Sequence, residues 1–318
     1  MPRYTRRNFL TQAATSAAVV SFCPALDAIR ADASSEPDIK FPSEPRERIA
    51  IASYPFRNFI AGSPYQDAAA AQKIDFKDFA AHTSEKFNIR KIEPWSRHFR
   101  SLEPKYLEEF REAVSKARGA VVNIAVDGDH SIYAADSAER DKAIAFSKQW
   151  VDVAAAIGSP NIRTNLAQAK DSKPDIERAA SSLRRVAEYG ESKKVVVNLE
   201  NDNPATEDPF FLVQLIEKVN SPWLHANPDF CNTLTAFPED YAYRGIAALF
   251  RHAYGICHVK AIEANERTGK IVQVDMPRTF GILKNANYRG YCSMEFDSPG
   301  DPYAGTSELV AETLKYLS

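Results

Sequence analysis

Cysteine is scarce: four in 318 residues, at positions 23, 231, 257 and 292. Their spacing offers neither a disulfide framework nor a CxxC metal knuckle, so neither a stapled secreted scaffold nor a zinc ribbon is in view. An excess of one charge is also missing. Lys+Arg number 40 and Asp+Glu 42, a net charge of -2, which provides no basic face for nucleic acid or an anionic membrane. No apolar run approaches the ~20 residues of a membrane span. Glycine is sparse at 12, and no glycine-rich phosphate loop follows the first β-rich run, which argues against a doubly wound dinucleotide fold. No internal repeat is visible. What remains is an ordinary globular balance, 44% hydrophobic and 26% charged.

The first residues read as an export signal. Thr5-Arg6-Arg7-Asn8-Phe9-Leu10 carries a twin arginine before a hydrophobic pair, Ala13 to Phe22 is mildly apolar, and Ala31-Asp32-Ala33 offers an A-x-A exit. The paired arginines point to the Tat route and a periplasmic or other extracytoplasmic destination. Phe22 is too bulky for Cys23 to be a good lipidation site. Residues 1–33 are therefore expected to be a Tat-type signal peptide. Residues 34–47, with Pro37, Pro42 and Pro45, read as an extended arm, and 48–318 as one folded domain.

That domain alternates strand and helix signals eight times. β-rich runs fall at Arg48–Tyr54, Arg90–Pro94, Ala120–Val126, Asn161–Asn165, Val195–Leu199, Trp223–Pro228, Gly255–Val259 and Tyr291–Phe296. Between them, helical periodicity and caps predict Glu103–Arg118, Ser137–Ile157, Asp175–Lys193, Asp208–Val219, Arg244–His252, Met276–Asn285 and Ser307–Leu317. Gly158 and Pro160 stop the second of these and Pro209 opens the fourth. Eight such units predict an α/β fold, a single-domain (β/α)₈ TIM barrel, a fold of typically ~250 residues.

In such barrels the chemistry sits at the C-terminal ends of the strands. Those ends carry Glu93, Glu200, Asp229, His258 and Glu295. Alternation tests their direction: with Glu200 inward, Val196 and Asn198 are inward too, while Val195, Val197 and Leu199 meet helices. His258 likewise shares a face with Ile256 and Lys260, and Glu295 with Tyr291 and Ser293. Alone, any one of these would be a helix cap, a salt-bridge partner or a core histidine. Glu200, Asp229, His258 and Glu295 on four successive strands would instead repel strongly without a compensating cluster of Lys and Arg. A divalent cation resolves that, and three carboxylates with one imidazole suit Mn²⁺ foremost, or Mg²⁺, Co²⁺ or Zn²⁺. Tyr54, Phe56, Trp95, Phe99, Phe230 and Phe237 fall near the rim, where aromatic rings stack on sugars or simply pack loops.

Val197-Asn198-Leu199-Glu200-Asn201, Asn227-Pro228-Asp229-Phe230-Cys231-Asn232, Cys257-His258-Val259-Lys260 and Ser293-Met294-Glu295-Phe296-Asp297 resemble the xylose-isomerase-like barrels. More narrowly they are similar to the sugar phosphate isomerase/epimerase group, which includes ketose 3-epimerases. The resemblance runs from the first strand through Tyr288-Arg289-Gly290-Tyr291 to Glu295. It implies Glu200, Asp229, His258 and Glu295 as metal ligands, Glu200 and Glu295 as the catalytic carboxylates, and a small carbohydrate as substrate. Glu93, Trp95, Arg163, Asn232 and Lys260 are the expected substrate-side residues. Two departures stand out. Asn232 takes a position where the ketose 3-epimerases carry histidine, and Lys260 adds an inward cation after His258. Lys260 reads equally as a substrate contact or as a salt-bridge partner of Glu295 or Asp229.

The chemistry implied is proton abstraction next to a carbonyl, giving an enediolate that is reprotonated to an epimer or isomer. The same carbanion can expel a β-leaving group, so a lyase acting on 3-keto-glycosides is the alternative, and export favours it because sugar phosphates are intracellular. A non-catalytic, metal-dependent sugar-binding protein is a further alternative. A multinuclear nuclease site would need more than six scattered histidines and a basic face. Paired-carboxylate glycosidase chemistry is opposed by the intervening Asp229 and His258. Related barrels often associate, so homo-oligomerisation stays open.

Overall fold

The computed structural model describes residues 36–67, 73–264, 268–269 and 271–317. The expected signal segment, residues 1–33, lies outside them. In chain order the elements are β1 (Ile49–Ala52), α1 (Phe79–Phe87), β2 (Lys91–Glu93), α2 (Pro104–Lys116), β3 (Ala120–Val121), β4 (Ala125–Val126), α3 (Ser137–Ile157), β5 (Asn161–Thr164) and α4 (Ile176–Lys193). There follow β6 (Val196–Glu200), α5 (Pro209–Val219), β7 (Leu224–Asn227), α6 (Asn232–Ala236), α7 (Glu239–Phe250), β8 (Ile256–Val259), β9 (Ile262–Ala264), β10 (Ile271–Gln273), α8 (Met276–Asn285), β11 (Tyr291–Met294) and α9 (Pro302–Leu317).

The parallel barrel forms as its strands demand. β1, Ile-Ala-Ile-Ala, is buried at every position, as a strand covered on both faces must be. Two ladders run β3-β2-β1-β11-β8 and β4-β5-β6-β7. The expected third strand is thus split: β3 pairs with β2 and β4 with β5. Val122 N–H to Ile92 C=O (3.0 Å) and Ile124 N–H to Asn161 C=O (3.3 Å) carry the backbone across the break. The other seam lies between β7 and β8, where His258 N–H donates to Pro228 C=O (3.0 Å) and Phe230 N–H to His258 C=O (3.2 Å). That bridge sets Asp229 opposite His258.

Local caps fix the helices. Asp136 accepts from Ala138 N–H at the start of α3, and Gly158, at φ 78°, ends it. Asp208 accepts from the Phe210 and Phe211 amides, with Pro209 in the first turn of α5. α7 begins at Glu239 rather than Arg244, because Pro238 already supplies the entry. α9 begins at Pro302 rather than Ser307 for the same reason. α1, the short α6 and the β9–β10 hairpin were not expected; α1, nine residues between two strands, is too short for a strong periodic signal.

The two mouths differ. At the N-terminal mouth Ala50, Val122, Ile256 and Tyr291 form a small apolar layer on which Phe41 packs. Phe41 meets Tyr254 and Tyr291 edge-on, and Tyr254 Oη donates to Pro37 C=O (2.8 Å) and accepts from Ile39 N–H (3.2 Å). The arm thereby covers the floor, leaving the C-terminal mouth to hold polar side chains. No helix among the described residues is long and apolar enough to cross a membrane.

Candidate metal centre

Strand register brings the candidate ligands together. Ser293 pairs with His258, and Glu200 with Asn227, two residues before Asp229. Glu295 follows through its N–H to Val259 C=O at 3.1 Å. Glu200, Asp229, His258 and Glu295 are all buried, and one donor atom from each lies within 4.8 Å of the others. His258 Nδ1 stands 2.7 Å from Glu200 Oε1 and 3.2 Å from Glu295 Oε2. Neighbouring ligands on a ~2.1 Å octahedral shell are about 3 Å apart, so these spacings suit a shared divalent ion.

Asp229 divides its oxygens. Oδ1 accepts the Cys231 and Asn232 amides at 2.7 and 2.6 Å, opening α6. Oδ2 is buried without a hydrogen-bond partner, with Lys260 Nζ 3.7 Å away. An orphaned carboxylate oxygen in such a cluster is costly unless something cationic takes it up. Burial pushes Asp229 up to about 7, against the pull of Lys260. Burial alone would lower His258, yet Glu200, Glu295 and Glu93 hold it well above its ordinary value. Without a metal, then, the imidazole carries a proton; ligation at Nδ1 requires that proton to leave.

The residues expected on the substrate side divide into two groups. Trp95, Arg163, Asn232 and Lys260 line a cavity of about 930 Å³ above the cluster, together with Glu200 and Glu295. Glu93 does not line it. It lies beneath, 1% exposed, with Oε1 2.9 Å from His258 Nε2 and accepting from Asn123 Nδ2. From there the carboxylate can orient the His258 imidazole, and it does not reach the cavity wall. Burial would raise Glu93, but the charge and hydrogen bond of His258 keep it low.

The expectation of uncompensated repulsion also needs correction. Arg163 Nε lies 2.7 Å from Glu200 Oε2, and its Nη1 pairs with Asp127. Lys260 Nζ lies 3.3 Å from Glu295 Oε2 and 3.4 Å from Glu263 Oε2, and donates to Asn232 Oδ1 at 2.8 Å. Burial opposes the charge on Lys260, but Asp229, Glu295 and Glu263 keep it protonated. Burial likewise opposes ionisation of Glu295, and His258 and Lys260 overcome it. Each cation is shared with a second carboxylate, so the case for a metal rests on the orphaned Asp229 oxygen and the ligand spacing rather than on bare repulsion.

Other participants were not anticipated. Asn123 is the lone polar side chain among apolar neighbours in the third barrel strand, a signal that was available. Asp127, just past β4, accepts from Trp95 Nε1 at 2.6 Å as well as from Arg163. Asn201 Nδ2 donates to Thr233 Oγ1 (2.7 Å), and its Oδ1 accepts from Asp229 N–H (2.8 Å). Glu263 comes from the unexpected β9–β10 hairpin. Of the aromatic candidates, Tyr54 and Trp95 reach the cavity wall, whereas Phe56 and Phe230 are fully buried in the core.

Solved structures resemble this architecture. A xylose isomerase-like TIM barrel protein from Mycobacterium smegmatis, in complex with magnesium, superposes with a TM-score of 0.64 at 18% identity, covering 85% of this chain and 96% of that one. D-Allulose 3-epimerase from Methylomonas sp. gives 0.62 at 16% identity over 87% and 98%. The 3-keto-D-glucoside 4-epimerase of E. coli gives 0.62 at 15% identity over 84% and 99%. No curated protein matches in sequence at a significant level. Residues 68–318 match the xylose isomerase-like TIM barrel family as a whole, and with the closed eight-stranded barrel described above, the chain belongs to that family.

Proposed function

We propose that this protein is a divalent-metal-dependent sugar isomerase or epimerase, acting by proton abstraction next to a carbonyl. The observation that carries the reading is the convergence of Glu200, Asp229, His258 and Glu295 beneath a polar cavity, with Asp229 Oδ2 buried without a hydrogen-bond partner. The epimerase names of two similar structures support the reaction class. The carboxylate-rich set with one imidazole favours Mn²⁺, with Mg²⁺, Co²⁺ or Zn²⁺ as alternatives.

A bound divalent ion supplies Lewis acidity, which makes the C–H beside a sugar carbonyl acidic. The chain does the rest. Glu200 and Glu295 come from opposite sides of the split sheet, on β6 and just past β11. One removes the proton to give the enediolate, and the other returns it: to the far face for an epimer, to the adjacent carbon for an isomer. Arg163 and Lys260 each hold one oxygen of these carboxylates, fixing their orientation, and His258 and Lys260 keep Glu295 ionised. Asn232, between Glu200 and Lys260, supplies an amide for a sugar hydroxyl.

We further propose export through the Tat route on the strength of Arg6-Arg7, which lets the barrel fold and load its ion before crossing the membrane.

The test is NMR in D₂O with free ketoses and a 3-keto-glycoside. Deuterium entry beside the carbonyl with an epimer or isomer accumulating, abolished by chelator and restored by Mn²⁺, is the expected result. Release of the aglycone would make the protein a lyase using the same carboxylates. Sugar binding without any exchange would leave a binding protein.

A further inference from the structure

We infer that the site is built for an uncharged sugar bearing a second ring, and that Tyr65 and Trp95 form the platform for that ring. The inference deepens the sugar reading above and rests on it. Among the described residues, every cation lining the cavity already has a carboxylate: Arg57 has Asp297 (3.0 Å), Arg163 has Asp127 and Glu200, and Lys260 has Glu295 and Glu263. Among the described residues the wall carries six carboxylates against three cations. The amides at the start of α6 are taken by Asp229. A phosphoryl group, which needs free donors or free positive charge, would find no free cation among the described residues of the wall.

The cavity, about 930 Å³, lies at the top of the range for drug-sized ligands and exceeds what one hexose fills. Its wall includes Tyr65, 55% exposed, one of only two large hydrophobic side chains so exposed among the described residues. Tyr65 lies stacked on Trp95, centroids 5.8 Å apart and planes 26° apart, while Tyr54 meets Trp95 edge-on at 5.1 Å. Trp95 itself is 3% exposed and is tethered through Nε1 to Asp127. The turn that presents Tyr65 is closed by Gln66 N–H to Ser63 C=O (3.0 Å) and Tyr65 N–H to Ser63 Oγ (3.3 Å). The Tyr65 ring is thus backed by a fixed indole, half-exposed and part of the cavity wall. Contacts run from Tyr65 through Trp95, Asp127 and Arg163 to Glu200, and in this proposal a second ring lies on the platform while the reacting ring sits at the carboxylates. Amphipathic aromatic faces of this kind take the C–H face of a pyranose or an aromatic aglycone.

The experiment is calorimetric titration of the Mg²⁺-loaded full chain with D-fructose, D-fructose 6-phosphate and the glucosylated fructoses turanose, maltulose and isomaltulose. The expected result is at least tenfold tighter binding of one two-ring ketose than of fructose, with the phosphate ester weakest. Tyr65→Ala should erase the two-ring advantage and leave fructose binding unchanged, and Tyr65→Phe should retain it. Equal affinity for one and two rings, a Tyr65→Ala loss shared equally by fructose, or tighter binding of the phosphate overturns this inference while the sugar reading stands. No binding of any of these sugars overturns the sugar reading itself.

Discussion

Replacing Glu93 by Gln isolates the part of the site that touches His258 from below. The parent holds His258 Nε2 2.9 Å from a carboxylate oxygen buried at 1% exposure, which presents Nδ1 to Glu200 and Glu295. Gln keeps the shape but removes the charge that makes the imidazole a strong ligand and fixes its tautomer. Loss of such a supporting partner costs roughly 10–100-fold in metal affinity, about 1.4–2.7 kcal/mol. A pH term modifies this figure. In the metal-free protein three carboxylates, Glu93 among them, hold the His258 proton on. Removing one eases proton competition, which favours the metal at low pH. The deficit of the variant should therefore be smallest near pH 6 and grow as the pH rises toward 9 and the proton on His258 competes less with the metal. The assay is competitive titration of Mn²⁺ against a fluorescent chelator across that range, with the metal-free Tm as the fold control. Equal affinities for parent and variant at pH 9, with Tm unchanged, would refute the role of Glu93 as the residue that orients His258.

Glu200→Gln and Glu295→Gln should each abolish deuterium exchange, and His258→Ala should lower metal occupancy measured by elemental analysis. Full activity in all three with metal bound would remove the site. Chelated protein should lose Tm as pH rises: the raised His258 pKa contributes fully below about 6.5 and is lost through the folded value, and the raised Asp229 acts in the same direction up to about 7. Metal-loaded protein should lack that slope. Gly290→Ala would put a Cβ 2.4 Å from Tyr254 C=O, a backbone atom that cannot rotate away, and should cost about 1–3 kcal/mol in denaturant melts. Replacing Arg6-Arg7 by Lys-Lys should retain the protein in the cytoplasmic fraction.

The barrel was legible because its strands are short, apolar and separated by capped helices, and each of the eight expected runs overlaps a barrel strand. Helix starts were less legible where proline set them. Pro238 and Pro302 start α7 and α9 about one turn before the apolar stripe becomes visible. The break between β3 and β4 had no signature, since Ala120–Val126 reads as one β-rich run; the split comes from pairing with two different neighbours.

For the site, alternation along a strand is a sufficient argument only for side chains that leave the backbone at the rim. Glu200, Asp229, His258 and Glu295 do so, and their convergence follows from strand order alone. Glu93 shows where that argument fails. It too ends a strand, but β2 is three residues long and pairs through Ala52↔Glu93 with β1, which seats the carboxylate lower, at the depth of Asn123 and the His258 Nε2 edge. Depth along the barrel axis is set by register across neighbouring strands, and register is a relation between segments that no single segment encodes. Position at a strand end therefore identified the ring of acidic residues, while the division of that ring into one carboxylate beneath the histidine and three that cluster above it needed the pairing of the strands.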